Sequence, residues 1–158
     1  MREDDLQRTL VEYIQIAHPT LWPVTFHSPS GLRAASKTQA RRFIGLGFKP
    51  GVPDLLMLSL RRRQDEPARY YGGFALELKA GRNRPTEHQE AFLRALLVHG
   101  LYAAWTADLD VAMALVDAYA ALPGPEIRTI VPAGAIAVLE SGAPVAGVHG
   151  PKGVRRRP

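Results

Sequence analysis

A chain of 158 residues is long enough to bury the core of one domain and short for two. Its 46% apolar and 22% charged residues are ordinary for a folded globular protein and exclude a disordered acidic or basic chain. No apolar run reaches bilayer length, and Met1-Arg2-Glu3-Asp4-Asp5 does not resemble a secretory leader. With no cysteine, disulfides and thiolate metal sites are excluded, and a cytoplasmic location is the expectation. Any metal must be held by carboxylates, carbonyls, histidine or water, a donor set that favours Mg²⁺ or Mn²⁺. The net charge is +5, with 16 Arg against 4 Lys. Arginine makes bidentate phosphate contacts and stacks on bases, so this balance suits a polyanion partner.

Leu6, Leu10, Tyr13, Ile14 and Ala17 share one face of a predicted first helix over 3–17, which His18-Pro19 ends. Residues 23–28 read as extended, and Pro29-Ser30-Gly31 as a turn. Ser36 and Gln39 have capping-box spacing and open a second helix whose apolar side is Ala40, Phe43 and Ile44, closed by Gly45 and Gly47. The run Asp54-Leu-Leu-Met-Leu-Ser-Leu60 reads as a strand covered on both faces. A polar loop over 61–67 leads to an alternating strand over 73–79. Thr86 and Gln89 form a second capping box before a helix that ends near His99-Gly100. Residues 101–106 read as a strand, and Asp108 caps a helix that buries Leu109, Ala112, Met113, Val116 and Tyr119. This order predicts an α/β/α sandwich around a mixed central sheet, occupying residues 1–122. Residues 123–151 form a Pro/Gly-rich extension with a candidate edge hairpin at 127–131 and 135–139, and 152–158 form a basic tail.

In the strand Gly73-Phe-Ala-Leu-Glu-Leu-Lys79, alternation puts Phe74, Leu76 and Leu78 on one face and Glu77 with Lys79 on the other. Asp54 opens the preceding strand directly after Pro53, where a missing donor is tolerated. If the two strands pair, Asp54 and Glu77 can reach one divalent cation, with Lys79 placed to orient or help deprotonate a water and to offset charge on a phosphorane. Taken alone, Glu-x-Lys is expected by chance in roughly 0.2 of such chains, and a salt bridge on a wet strand face is the more common explanation.

The ordered series is more specific. Gly51-x-Pro53-Asp54, Glu77-x-Lys79, the Thr86/Gln89 helix start and Gly100-x-Tyr102 together resemble the VRR-NUC family of the PD-(D/E)XK, restriction-endonuclease-like superfamily, over about residues 2–120. Members resembling this chain are stand-alone, often phage-borne proteins. The resemblance implies metal-dependent phosphodiester hydrolysis, with Asp54, Glu77 and the Leu78 carbonyl as metal ligands and Mg²⁺, replaceable by Mn²⁺, as cofactor. It also places a glutamine in the site at Gln89, which as the third helical residue is equally a capping residue. A glutamate from the first helix often joins; Glu3, on the inward face, is preferred over Glu12, although a helix N-terminus attracts acidic residues anyway. His27, Arg33, Lys37, Arg41, Arg82 and Arg84 are candidate DNA-backbone contacts, against the plainer reading of solvated charge. The expected partner is branched DNA, foremost a Holliday junction, bound by a homodimer with no membrane and no small-molecule cofactor. A monomeric flap or single-strand nuclease, or a non-catalytic nucleic-acid-binding module, are the alternatives.

Overall fold

The computed structural model describes residues 2–28 and 36–125, residue 40 as backbone only. Helix α1 (Glu3–Ala17) buries Leu6, Leu10 and Ile14, the 3.6-residue stripe expected of it, and its first turn carries Glu3, Asp4 and Asp5 at the positive end of the helix dipole. A single 3₁₀ turn (Trp22–Val24), rather than extended chain, precedes strand β1 (Thr25–His27), because Pro23 sits at an early helical position where its missing N–H is harmless. Helix α2 (Lys37–Gly45) begins where Ser36 accepts the Gln39 N–H. Ile44, assigned above to its apolar side, is instead 67% exposed.

Strand β2 is only Leu55–Met57. The apolar run beyond it does not continue as a doubly covered strand: Leu58 and Leu60 are 55% and 51% exposed. The expected polar loop contains strand β3 (Arg61–Arg62), which pairs antiparallel with β4 (Tyr70–Tyr71) in a separate two-stranded ribbon. Arg62 and Arg63 lie over the rings of Tyr70 and Tyr71, which supply apolar surface for their stems. Strand β5 (Phe74–Leu78) is buried at every position, and helix α3 (Glu87–Val98) follows with both halves of its capping box made by Thr86 and Gln89. Strand β6 (Tyr102–Thr106) and helix α4 (Leu109–Ala121), capped by Asp108, complete the unit.

The sheet order is β1-β2-β5-β6, antiparallel except for the parallel β5–β6 pair that α3 connects. One sheet face, with Leu55, Met57, Phe74, Leu76 and Leu78, packs on Leu6, Leu10 and Ile14 of α1 and on Ala112, Val116 and Tyr119 of α4. The opposite face carries Glu77 toward α3. The result is an α/β/α sandwich with a mixed central sheet, as the element order predicts. The Arg33 candidate, the 29–31 turn, the 127–139 hairpin and the 152–158 tail lie outside the described residues.

Tyr119 links the core to the chain's edge. Its ring meets Phe74 at 5.3 Å and Tyr102 at 6.0 Å, and its hydroxyl donates to the Ser59 carbonyl at 2.5 Å. Burial pushes the phenol up to about 12; the Arg61 charge opposes this and Tyr71 adds to it. A raised folded-state value means stability is fully present below the unfolded value near 10 and lost as pH rises toward 12. The loss from this group is about 3 kcal/mol. Urea titrations at stepped alkaline pH should therefore show a steep decline in wild type and a flatter one in Tyr119→Phe; equal slopes would exclude Tyr119 as the source.

Candidate active site

Strand alternation and two loops bring the site together. Glu77 on β5 is fully buried and Lys79, one residue past the strand end, is 7% exposed. The Lys79 Nζ lies 2.5 Å from Glu77 Oε1 and 3.6 Å from Glu3 Oε1 at the start of α1. Asp54, at 6% exposure, arrives on the loop before β2, and its Oδ2 accepts the Leu78 N–H at 2.8 Å, tying it to the adjacent strand. Gly51 makes this approach possible. It has φ +82°, and a Cβ there would lie 2.5 Å from the His88 carbonyl oxygen at the start of α3.

Gln89 satisfies both readings at once. Its Oε1 accepts the Thr86 N–H at 2.9 Å, closing the helix cap, while its Nε2 donates to Glu77 Oε1. A side-chain amide has an acceptor at one end and donors at the other, so one residue caps α3 and orients the carboxylate. With Oε1 engaged by Gln89 and Lys79, Glu77 Oε2 is buried with no hydrogen-bond partner.

The electrostatics follow from this crowding. Burial pushes the Glu77 carboxyl up to about 7; the hydrogen bond and charge of Lys79 pull it down, while the charges of Asp54 and Glu3 push it up. For Lys79, burial lowers the ammonium, but the contact with Glu77 and the charges of Glu3 and Asp54 outweigh it and hold it above its ordinary value. Three carboxylates around one ammonium leave the cluster short of positive charge.

This donor set fits a hard divalent cation. Asp54, on the loop before β2, and Glu77, on β5, supply oxygens, and the partnerless Oε2 of Glu77 is a buried acceptor in need of a cation or donor. Among the described residues no group of three or more His, Cys, Asp or Glu is arranged to hold a metal ion, so a cation here would rest on two carboxylates. Two carboxylates match how Mg²⁺ is held, through few protein ligands and retained water.

The structure thus joins Asp54, Glu77, Lys79, Gln89, Glu3 and the Leu78 backbone. Glu12, the competitor of Glu3, is exposed. His27 reaches the rim: its Nδ1 is 2.9 Å from the Asp54 carbonyl oxygen and 2.7 Å from Gln7 Nε2, serving one or the other according to tautomer. Arg82 and Arg84 are exposed on the loop leaving Lys79, while Lys37 and Arg41 are exposed on α2. Gln7 was not among the sequence candidates; its four-residue spacing from Glu3, which stacks the two on one helical face, was the available signal.

No family model matches the sequence, and no curated protein does. Among solved structures, a protein described as "VRR_NUC domain protein" superposes with a TM-score of 0.61 at 23% identity, over 75% of this chain and 88% of that one. At this identity the likeness concerns architecture: the chain shares the fold of that VRR_NUC domain protein.

Proposed function

We propose that this protein is a Mg²⁺-dependent deoxyribonuclease that hydrolyses phosphodiester bonds in branched DNA, with a Holliday junction as the leading substrate. The observation that carries the reading is the partnerless, buried Oε2 of Glu77 facing a site that also holds Asp54 and Lys79. Asp54, Glu77 and the Leu78 carbonyl would hold the cation. When bound, it supplies Lewis-acid polarisation of the phosphodiester and acidifies a water.

The chain's own residues do the rest. Gln89 and Lys79 grip Glu77 Oε1, leaving Oε2 for the cation. Lys79, with its proton held on by surrounding carboxylates, offsets negative charge building on the phosphoryl oxygens. Glu3, 3.6 Å from Lys79, steadies the ammonium. His27 at the Asp54 backbone and the exposed Arg82 and Arg84 would contact the DNA backbone; the exposed Lys37 and Arg41 of α2 would extend the basic surface. Two symmetry-related incisions require two active sites and each chain supplies one, so the acting species is a homodimer.

Cleavage of a labelled four-way junction, beside duplex, flap and single-strand controls, with Mg²⁺, Mn²⁺ or EDTA, tests this. Paired, metal-dependent incisions are expected. Cleavage confined to flaps or single strands would keep the chemistry and overturn the dimeric resolvase. Binding without cleavage under either metal would replace the enzyme by a binding module.

The cation site has its own readout. Mg²⁺ or Mn²⁺ should raise the unfolding temperature of wild type in proportion to the logarithm of its concentration, and leave Glu77→Ala unmoved. An equal rise in both proteins would place the cation elsewhere.

A further inference from the structure

Strands β5 and β6 run parallel in the register Glu77↔Trp105, so these two side chains leave the same face of the sheet from backbones about 4.8 Å apart. Among the described residues β6 is the last strand of the sheet, which puts Trp105 at the border of the site. The hydrophobic core does not use it: Tyr102 and Ala104 of β6 pack on the core, whereas Trp105, on the alternate face, stays 40% exposed. At the same end of the sheet, the Lys79 N–H donates to the Thr106 carbonyl at 2.9 Å, and the chain then turns into the loop that bears the exposed Arg82 and Arg84. Open α/β sheets receive ligands at the carboxyl ends of their parallel strands.

An aromatic face flanked by arginines is how proteins hold unpaired nucleic acid: the cations track the phosphates and the ring stacks on a base. A base inside a continuous duplex has both faces covered by its neighbours and cannot offer one to an indole without leaving the stack. We propose that Trp105 is a stacking platform for an unpaired nucleotide beside the scissile phosphate, which makes DNA with locally unpaired bases, as at a branch point or flap, the substrate class. This assignment rests on the nuclease reading for the position of the phosphate; the stacking itself does not.

The chain has two tryptophans, so the full-length Trp22→Phe protein leaves Trp105 as the sole reporter. In EDTA, a short oligodeoxythymidylate should quench its emission saturably, and an abasic strand of equal length should not. In Mg²⁺, Trp105→Ala should raise KM for a flap substrate about tenfold with kcat nearly unchanged, and Trp105→Phe should recover most of the loss. Unchanged emission at saturating oligonucleotide, confirmed by anisotropy, overturns the proposal, as does equal quenching by the abasic strand. Emission that responds to protein concentration and not to DNA also overturns it, assigning Trp105 to an interface between copies. If the wild type cleaves nothing while base-dependent quenching persists, the nuclease reading fails and the stacking platform stands.

Discussion

Replacing Lys79 with alanine is expected to lower metal-dependent cleavage about a thousandfold while leaving DNA affinity within a few fold. Lys79 is 7% exposed and its Nζ lies 2.5 Å from Glu77 Oε1, so solvent screens it little and no other described cation touches that carboxylate. A charge aimed at the reacting phosphate in such a site contributes mainly to the transition state, whose loss appears in kcat and not in binding. Removing it also leaves Glu77 buried without its neutralising partner, which favours the protonated carboxyl. Lys79→Arg, which keeps the charge but not its compact shape, should recover only part of the rate. Single-turnover cleavage alongside anisotropy binding measures both. Retained cleavage in Lys79→Ala would remove this residue from the chemistry.

Gly51→Ala is expected to destabilise the fold by about 3 kcal/mol, combining the penalty of a non-glycine residue at positive φ with overpacking. At φ +82° the added Cβ meets only backbone: His88 O at 2.5 Å, His88 C at 2.7 Å and Gln89 N at 3.0 Å. No rotamer relieves that contact, so the loop must lift off the start of α3. Lifting it moves Asp54, three residues on, away from the Glu77 that Gln89 holds. Lower thermal stability by roughly 10 °C and weaker cation binding should therefore appear together. Gly45→Ala is the control, since its Cβ meets nothing within 4 Å. Equal unfolding temperatures for the two variants would show that the loop yields freely.

The site was legible to different depths. Glu77 and Lys79 could be placed on one face because alternation is a property of any strand, independent of its partners. Asp54 could be placed only conditionally, since the pairing of β2 with β5 is non-local. The double use of Gln89 was visible as two competing readings; three-dimensional placement of β5 beneath α3 makes them compatible. Gln7 and Trp105 carry little local signal of a role, for a common reason. Each gains meaning from a neighbour distant in sequence, His27 in one case and Glu77 in the other.

The same division holds for the whole chain. The sequence by itself determined the four helices, their caps at Ser36, Thr86 and Asp108, and the buried stripes of α1 and α4, because periodicity and capping depend on residues within one or two turns. Only the tertiary structure decided that β2 stops at Met57, that Arg61–Arg62 pairs with Tyr70–Tyr71, and that Ile44 faces outward. Strand length and burial are set by what lies across the sheet or over its face, and an apolar residue with nothing packed against it remains exposed whatever its local pattern. The cluster of Asp54, Glu77, Lys79, Glu3 and Gln89 belongs to this second group, since five residues spread over more than eighty positions meet only when the sandwich closes.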